Sequence, residues 1–205
     1  MSDYRDIRSI SPDLSTEALL RHLITEKFPG KTVVTASLKA RSIAVLKMVS
    51  DINPGIAVRF CAPGFRFPES DAYQDSIVAR LGLIDVELVR GGETEVLPGD
   101  LSHYEKMWVE YRDSPGRNLE IVHLNQTLAP FDCWISAVYH EPSPPEVTNR
   151  VGVESRLIRV DPLIRWSKQE VRAFLKEQGL PLHPRATRQP PSPPPDDEPI
   201  PSYSY

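Results

Sequence analysis

Serine, lysine and arginine crowd one short run of the chain, Ser37-Leu38-Lys39-Ala40-Arg41-Ser42, which joins a β-branched stretch to a helical one. Two hydroxyls, the charge of Lys39 or Arg41 and the N–H groups of a helix start are the means by which proteins hold a phosphate. The same residue types also make an ordinary solvated helix cap, so on its own the run fits either role. A second run, Ala62-Pro63-Gly64-Phe65-Arg66-Phe67-Pro68-Glu69-Ser70, is a rigid turn in which Gly64 permits close approach of backbone to a ligand. A third, Tyr139 to Glu146, is proline-rich and carries His140, which could move a proton or simply face water. Cys61 and Cys133 are the only cysteines; they stand far apart, outside any CxxC pattern and in apolar surroundings. That argues for small buried hydrophobes and against a disulfide framework, a zinc site or an iron–sulfur cluster.

These runs need a frame. Ser15 as N-cap, Glu17 in the first turn and Leu19, Leu20, Leu23 and Ile24 on one face predict a helix that Pro29-Gly30 stops. Residues 32–36 are β-branched and apolar, 41–50 have helical spacing through Ile43, Leu46 and Val49, and 56–61 read as a buried strand, which makes a βαβ unit. The pattern repeats with a helix over 69–81, closed by Gly82, and a strand over 84–89. Alternation of this kind predicts a parallel sheet covered on both faces, with ligands beyond the carboxyl ends of the strands near a topological switch point. Beyond Gly91, Gly92 and Pro98-Gly99, residues 101–111 and 118–128 read as helices, and 133–138 and 157–160 as strands. Ser167 with Glu170 forms a capping box, Trp166 and Val171 can staple across it, and Gly179 followed by Pro181 stops that helix.

From Arg188 onward, prolines at 190, 191, 193, 194, 195, 199 and 201 alternate with Ser, Asp and Glu and leave nothing to pack. The expectation is a single α/β domain over 1–187 and a disordered, polyproline II-like tail over 188–205. The tail reads either as an inert end or as a docking peptide for a partner that recognises polyproline II or Tyr203-Ser204-Tyr205. With 205 residues, 40% of them hydrophobic, the chain suits one core rather than two. Lys and Arg number 24 against 28 Asp and Glu, a net charge of −4, which supplies no general pull toward nucleic acid or an anionic membrane. The opening MSDYRDIRSISPD lacks the apolar centre of a signal peptide, and no stretch approaches the ~18 apolar residues of a membrane span, so the expected location is cytoplasmic.

In order and content these segments resemble the PAPS/APS reductases, the sulfonucleotide reductase family. That family has a Ser-Phe-Gly-Ala-Gln/Glu-Ser/Asp phosphate loop, matched by residues 37–42, and Leu-Asp-Thr-Gly-Tyr-Leu-Phe-Pro-Glu-Thr, matched by 61–70 with Gly64, Phe67, Pro68 and Glu69 retained. Its Tyr-Asp-Ala-Trp-Ile-Thr-Gly segment is matched by Phe131-Asp132-Cys133-Trp134-Ile135-Ser136-Ala137. The most specific match runs from Val160-Asp161-Pro162-Leu163-Ile164-Arg165-Trp166 through Gly179-Leu180-Pro181-Leu182-His183-Pro184. The resemblance spans residues 15–184. It implies the adenine-nucleotide α-hydrolase-like (PP-loop type) fold, three α/β/α layers on a mostly parallel sheet. It also implies a nucleotide-binding set of Ser37, Leu38, Lys39, Ala40, Arg41, Ser42, Ala62, Gly64, Ser136 and His140, an adenine nucleotide or sulfonucleotide as ligand, and a place in sulfate assimilation.

Four departures fall on the family's working positions. Lys39 replaces a glycine, putting a side chain where backbone should meet phosphate, while its charge could substitute for that contact. Ala62-Pro63 replaces Asp-Thr and removes an acceptor and a hydroxyl. Tyr139 to Glu146 replaces an arginine-rich loop, and Glu146 would repel a phosphosulfate. The family's tail cysteine has no counterpart from Arg185 onward, and Pro115-Gly116 stands where the APS-specific branch has its first 4Fe–4S cysteine pair. The resemblance with these departures implies a relative without a catalytic residue, metal or iron–sulfur cluster of its own. Such a chain would act as a nucleotide-binding or regulatory subunit beside a protein partner or as a homo-oligomer. Two other readings stay open: nucleotide-dependent adenylyl or sulfur transfer with magnesium, and sulfonucleotide reduction with a thiol from another chain.

Overall fold

The computed structural model describes residues 2–62, 67–90, 92–94, 106–110, 119–123, 125–137, 149–154 and 156–187. In chain order the elements are α1 (Ser2–Ile10), α2 (Thr16–Arg21), a π-helical turn (His22–Lys27), β1 (Thr32–Ala36), α3 (Ala40–Ser50), β2 (Ala57–Ala62), α4 (Pro68–Leu81) and β3 (Val86–Arg90). There follow β4 (Gly92–Thr94), β5 (Lys106–Glu110), β6 (Leu119–His123), α5 (Asn125–Leu128), β7 (Cys133–Ser136), β8 (Val151–Glu154), β9 (Leu157–Val160), α6 (Lys168–Glu177) and a 3-10 turn (Pro184–Thr187).

Six strands make one sheet in the order β3-β2-β1-β7-β9-β8. All neighbours are parallel except β8, which runs antiparallel to β9 at the edge. Every residue of β1 and β7 is buried, as expected for central strands of a parallel sheet, which cannot show a wet face. Because side chains alternate, Val34, Ala36, Val58, Phe60, Cys133, Ile135 and Val160 face one core with Leu20, Leu46 and Leu175 from the helices. Val33, Ala57, Cys61, Trp134 and Leu157 face a smaller one on the other side, where Leu128 and Phe131 lie over them.

The helix ends are made by local chemistry. Ser15 Oγ accepts the Ala18 N–H at 3.1 Å to start α2, and Gly82 takes φ +64° to end α4. At α6 the capping box is complete: Ser167 Oγ accepts the Glu170 N–H at 3.2 Å, and a Glu170 carboxylate oxygen accepts the Ser167 N–H at 2.7 Å. The same backbone contact, together with the Ser167 hydroxyl, holds the exposed Glu170 carboxyl below its usual range. Trp166 meets Phe174 edge-on at 5.7 Å between centroids and packs on the core that holds Val171.

Three departures from the sequence reading stand out. Among the described residues of the helices expected over 101–111 and 118–128, 106–110 and 119–123 are strands: β5 and β6 pair antiparallel, Trp108 opposite Ile121, in a separate sheet of order β4-β6-β5, and Asn125–Leu128 is helical. In segments this short, apolar spacing does not separate the two forms, and β-branched Val109, Ile121 and Val122 favour the extended one once partners are adjacent. α1 escapes the reading because, among its described side chains, Ile7 alone is fully buried, and β8 because Gly152 breaks the apolar run that its pairing to β9 nevertheless organises. The expected helix over Leu23 and Ile24 continues as the π turn, with the Phe28 N–H donated to the Leu23 carbonyl at 2.9 Å. The tail over 188–205 lies outside the described residues.

Candidate nucleotide site at the carboxyl edge of the sheet

The strand order reverses at β1: β2 and β3 step away on one side, β7 and β9 on the other. The crevice beyond the carboxyl ends of β1 and β7 is therefore the switch point, and the 37–42 run follows β1 directly into α3. Ser136 ends β7 opposite Thr35, and Ala62 ends β2 beside β1, so both stand at the same edge. Gly64 and His140 lie outside the described residues.

Hydrogen bonds within the run fix its shape. The Ser37 N–H donates to Ser42 Oγ at 3.0 Å, the two serine hydroxyls are 3.1 Å apart, and the Lys39 N–H donates to Ser37 Oγ at 3.3 Å. Ser42, buried, donates its own proton to the Ala137 carbonyl at 2.6 Å and so ties the run to the strand across the crevice. We expect Ser42→Ala, which leaves the Ala137 carbonyl and the Ser37 N–H without this partner, to cost about 1–3 kcal/mol in denaturant unfolding. A cost of a few tenths would show that water replaces the hydroxyl.

Lys39 is the N-cap of α3, exposed, with an ordinary extended backbone (φ −77°, ψ 151°). The position asks for no left-handed conformation, so the lysine sits there without strain. Leu38 and Ala40 are half-buried against the main core and hold the run down. Arg41 takes a role that no local pattern could reveal: its guanidinium donates to the Leu163 carbonyl and, at 2.6 Å, to the Trp166 carbonyl, clamping α3 to the turn that leads into α6. A second feature without a local signal is Trp134, whose indole N–H donates to Thr35 Oγ1 at 2.8 Å across β1 and β7, with Arg159 over its ring at 5.1 Å.

As built, the run presents helix-start N–H groups and one exposed ammonium, and it contains no carboxylate, imidazole or thiol. It can bind and orient an anion but supplies no acid, base or sulfur nucleophile. Both thiols are elsewhere and inert by placement: Cys61 is 5% exposed and Cys133 fully buried, and burial pushes each up to about 12.

Sequence comparison decides the lineage. The phosphoadenosine phosphosulfate reductase domain matches residues 31–187. The chain belongs to that family. Within this family of sulfur metabolism, it is 29% identical over 177 residues to a phosphoadenosine 5′-phosphosulfate reductase of Gloeobacter violaceus, covering 84% of this chain and 72% of the relative. It is 23% identical over 170 residues to an adenosine 5′-phosphosulfate reductase of Halalkalibacterium halodurans, covering 80% and 72%. Among solved structures, the phosphate complex of the PAPS reductase from Candida auris superposes with a TM-score of 0.60 at 14% identity, covering 88% of this chain and 87% of that one. At that identity the likeness shows the fold, a mostly parallel α/β sheet with its helices. Among the described residues no helix is long and apolar enough to cross a membrane.

Proposed function

We propose that this PAPS reductase-family chain binds an adenine nucleotide or sulfonucleotide at the β1–α3 run and serves as a binding or partner subunit, without reductase activity of its own. The observation that carries the reading is the state of its sulfur. The two cysteines sit inside sheet strands on opposite faces, with thiols held protonated by burial, whereas reduction of a sulfonucleotide needs an accessible thiolate. The anion-binding side is supported by the placement of Lys39 at the start of α3, at the switch point of the sheet.

Calorimetric titration with ATP, AMP, adenosine 5′-phosphosulfate and its 3′-phosphorylated form, with and without magnesium, tests the binding half. The expected result is a Kd tighter than ~100 μM, about −5.5 kcal/mol, for at least one of them. Lys39→Gly should weaken that binding about tenfold, the worth of one charge-assisted contact. A gain in affinity would instead mean that the lysine obstructs the glycine geometry. Sulfite release from either sulfonucleotide with reduced thioredoxin tests the other half, and turnover by the purified chain would overturn it. Preferential binding of ATP with magnesium would favour adenylyl chemistry over sulfonucleotide handling.

A further inference from the structure

Beyond α6 the chain turns back and lies across the start of α4, held there by a cluster that the candidate site does not use. His183, 6% exposed, accepts the Arg185 N–H on Nδ1 at 3.1 Å, and its Nε2 is 3.1 Å from Ser70 Oγ. Tyr73 meets the imidazole edge-on at 5.0 Å and donates its hydroxyl to the Pro181 carbonyl at 2.7 Å. The Arg185 guanidinium pairs with Glu69 at 2.7 Å and lies 3.4 Å over the Phe67 ring.

From this geometry we infer that residues 180–187 form a proton-controlled strap, closed while His183 is neutral and released when it is protonated. Nδ1 can accept the Arg185 N–H only when it carries no proton, so in the closed strap the hydrogen is on Nε2 and is donated to Ser70. A second proton puts N–H against N–H at a contact that, beside the Ala186 N–H donated to the His183 carbonyl at 2.8 Å, folds the strap back on itself. The surroundings add to that cost. The ring is buried, the Arg185 guanidinium is in its own segment, and Ser70 lies in the first turn of α4, where the helix dipole is positive. On the elements that hold the ring, the titratable and charged side chains are Glu69, Asp71, Tyr73, Asp75 and Arg80 of α4, the last donating to the Gly179 carbonyl at 3.2 Å, and Arg185 of the strap. Glu69 is engaged by Arg185, and Asp71 is exposed. Acidification through the histidine range opens the strap and uncovers Ser70 and Tyr73. This holds whatever the β1–α3 run binds.

Hydrogen exchange of the full chain at pH 7.5 and pH 5.5, corrected for the intrinsic pH dependence of exchange, reads the opening directly. If the ring takes its proton only when the strap is open, the opening constant over 180–187 should rise about tenfold, given an ordinary histidine value near 6.5. In His183→Asn the amide oxygen can accept the Arg185 N–H at any pH, and the tenfold change should vanish. In Glu69→Gln, which loses the ion pair but keeps the imidazole, it should persist. An unchanged opening constant in the wild-type protein overturns the proposal. So does a tenfold rise retained in His183→Asn, or one abolished by Glu69→Gln alone.

Discussion

Neither thiol of the folded protein should react with an aromatic disulfide reagent at pH 8 on the time scale that labels the unfolded chain completely. The attacking species is the thiolate, and burial raises both cysteines from 9.0 to about 12. At pH 8 the thiolate share falls from roughly one in ten to roughly one in ten thousand, a suppression of about 10³ before steric exclusion is counted. Exclusion adds to it, since Cys133 is wholly inside the main core and only 5% of Cys61 reaches solvent. Placement on opposite faces of the sheet also bars the pair from forming a disulfide with each other. Absorbance of the released thiolate in native buffer and in denaturant checks the ratio, and Cys61→Ser and Cys133→Ser assign any residual signal. Labelling of either native thiol within minutes would mean that its strand opens locally, and it would return a nucleophile to a chain we read as having none.

The largest single loss of stability that does not come from an apolar cavity should follow Arg150→Ala. The residue is 5% exposed, and its Nη2 donates to the Ser11 carbonyl and, at 2.8 Å, to the Leu14 carbonyl. These two bonds fasten the α1–α2 connection to the start of β8, and a bond from a charged donor contributes about 1.5–3 kcal/mol. Burial, and then the charge of Arg165, lower the affinity of this guanidinium for its proton, so removing it also relieves an unfavourable term. The expected net cost is about 3 kcal/mol, which for a domain of this size lowers Tm by roughly 6–12 °C. Thermal unfolding measures it, and exchange protection should disappear first from residues 2–14. A Tm within about 2 °C of the parent would mean that water replaces the arginine at both carbonyls.

What can be read from sequence here is what is decided within a few residues. Ser15, Gly82 and the Ser167–Glu170 box act on backbone groups two to four positions away, and each occurs where its residue type predicts. The β1 and β7 runs declare themselves because a doubly covered strand selects β-branched, aromatic and other residues with no charge to bury. β8, by contrast, exists through β9, and β5 and β6 through each other; their pairing is a long-range event that leaves no mark on spacing. The candidate site divides in the same way. That residues 37–42 join a strand to a helix at the sheet's carboxyl edge follows from the alternation of elements. That Arg41 turns to the carbonyls of Leu163 and Trp166 depends on a loop more than a hundred residues downstream. His183 is legible as part of a family segment, but its partnership with Ser70 is not, because the two come together only when residues 180–187 fold over α4.

The position of β1 in the sheet has a consequence for synthesis. Val33 finds its β2 partner in Ala57 soon after it leaves the ribosome, but Thr32 must wait for Cys133, about 100 residues later. At common translation rates of 5–20 residues per second that is roughly 5–20 s during which a strand destined for full burial shows an unpaired edge. The nascent chain must cross that interval without joining its neighbours on the polysome. A chaperone that occupies the β1 edge until Cys133 emerges would shorten the hazard more than one acting at either terminus.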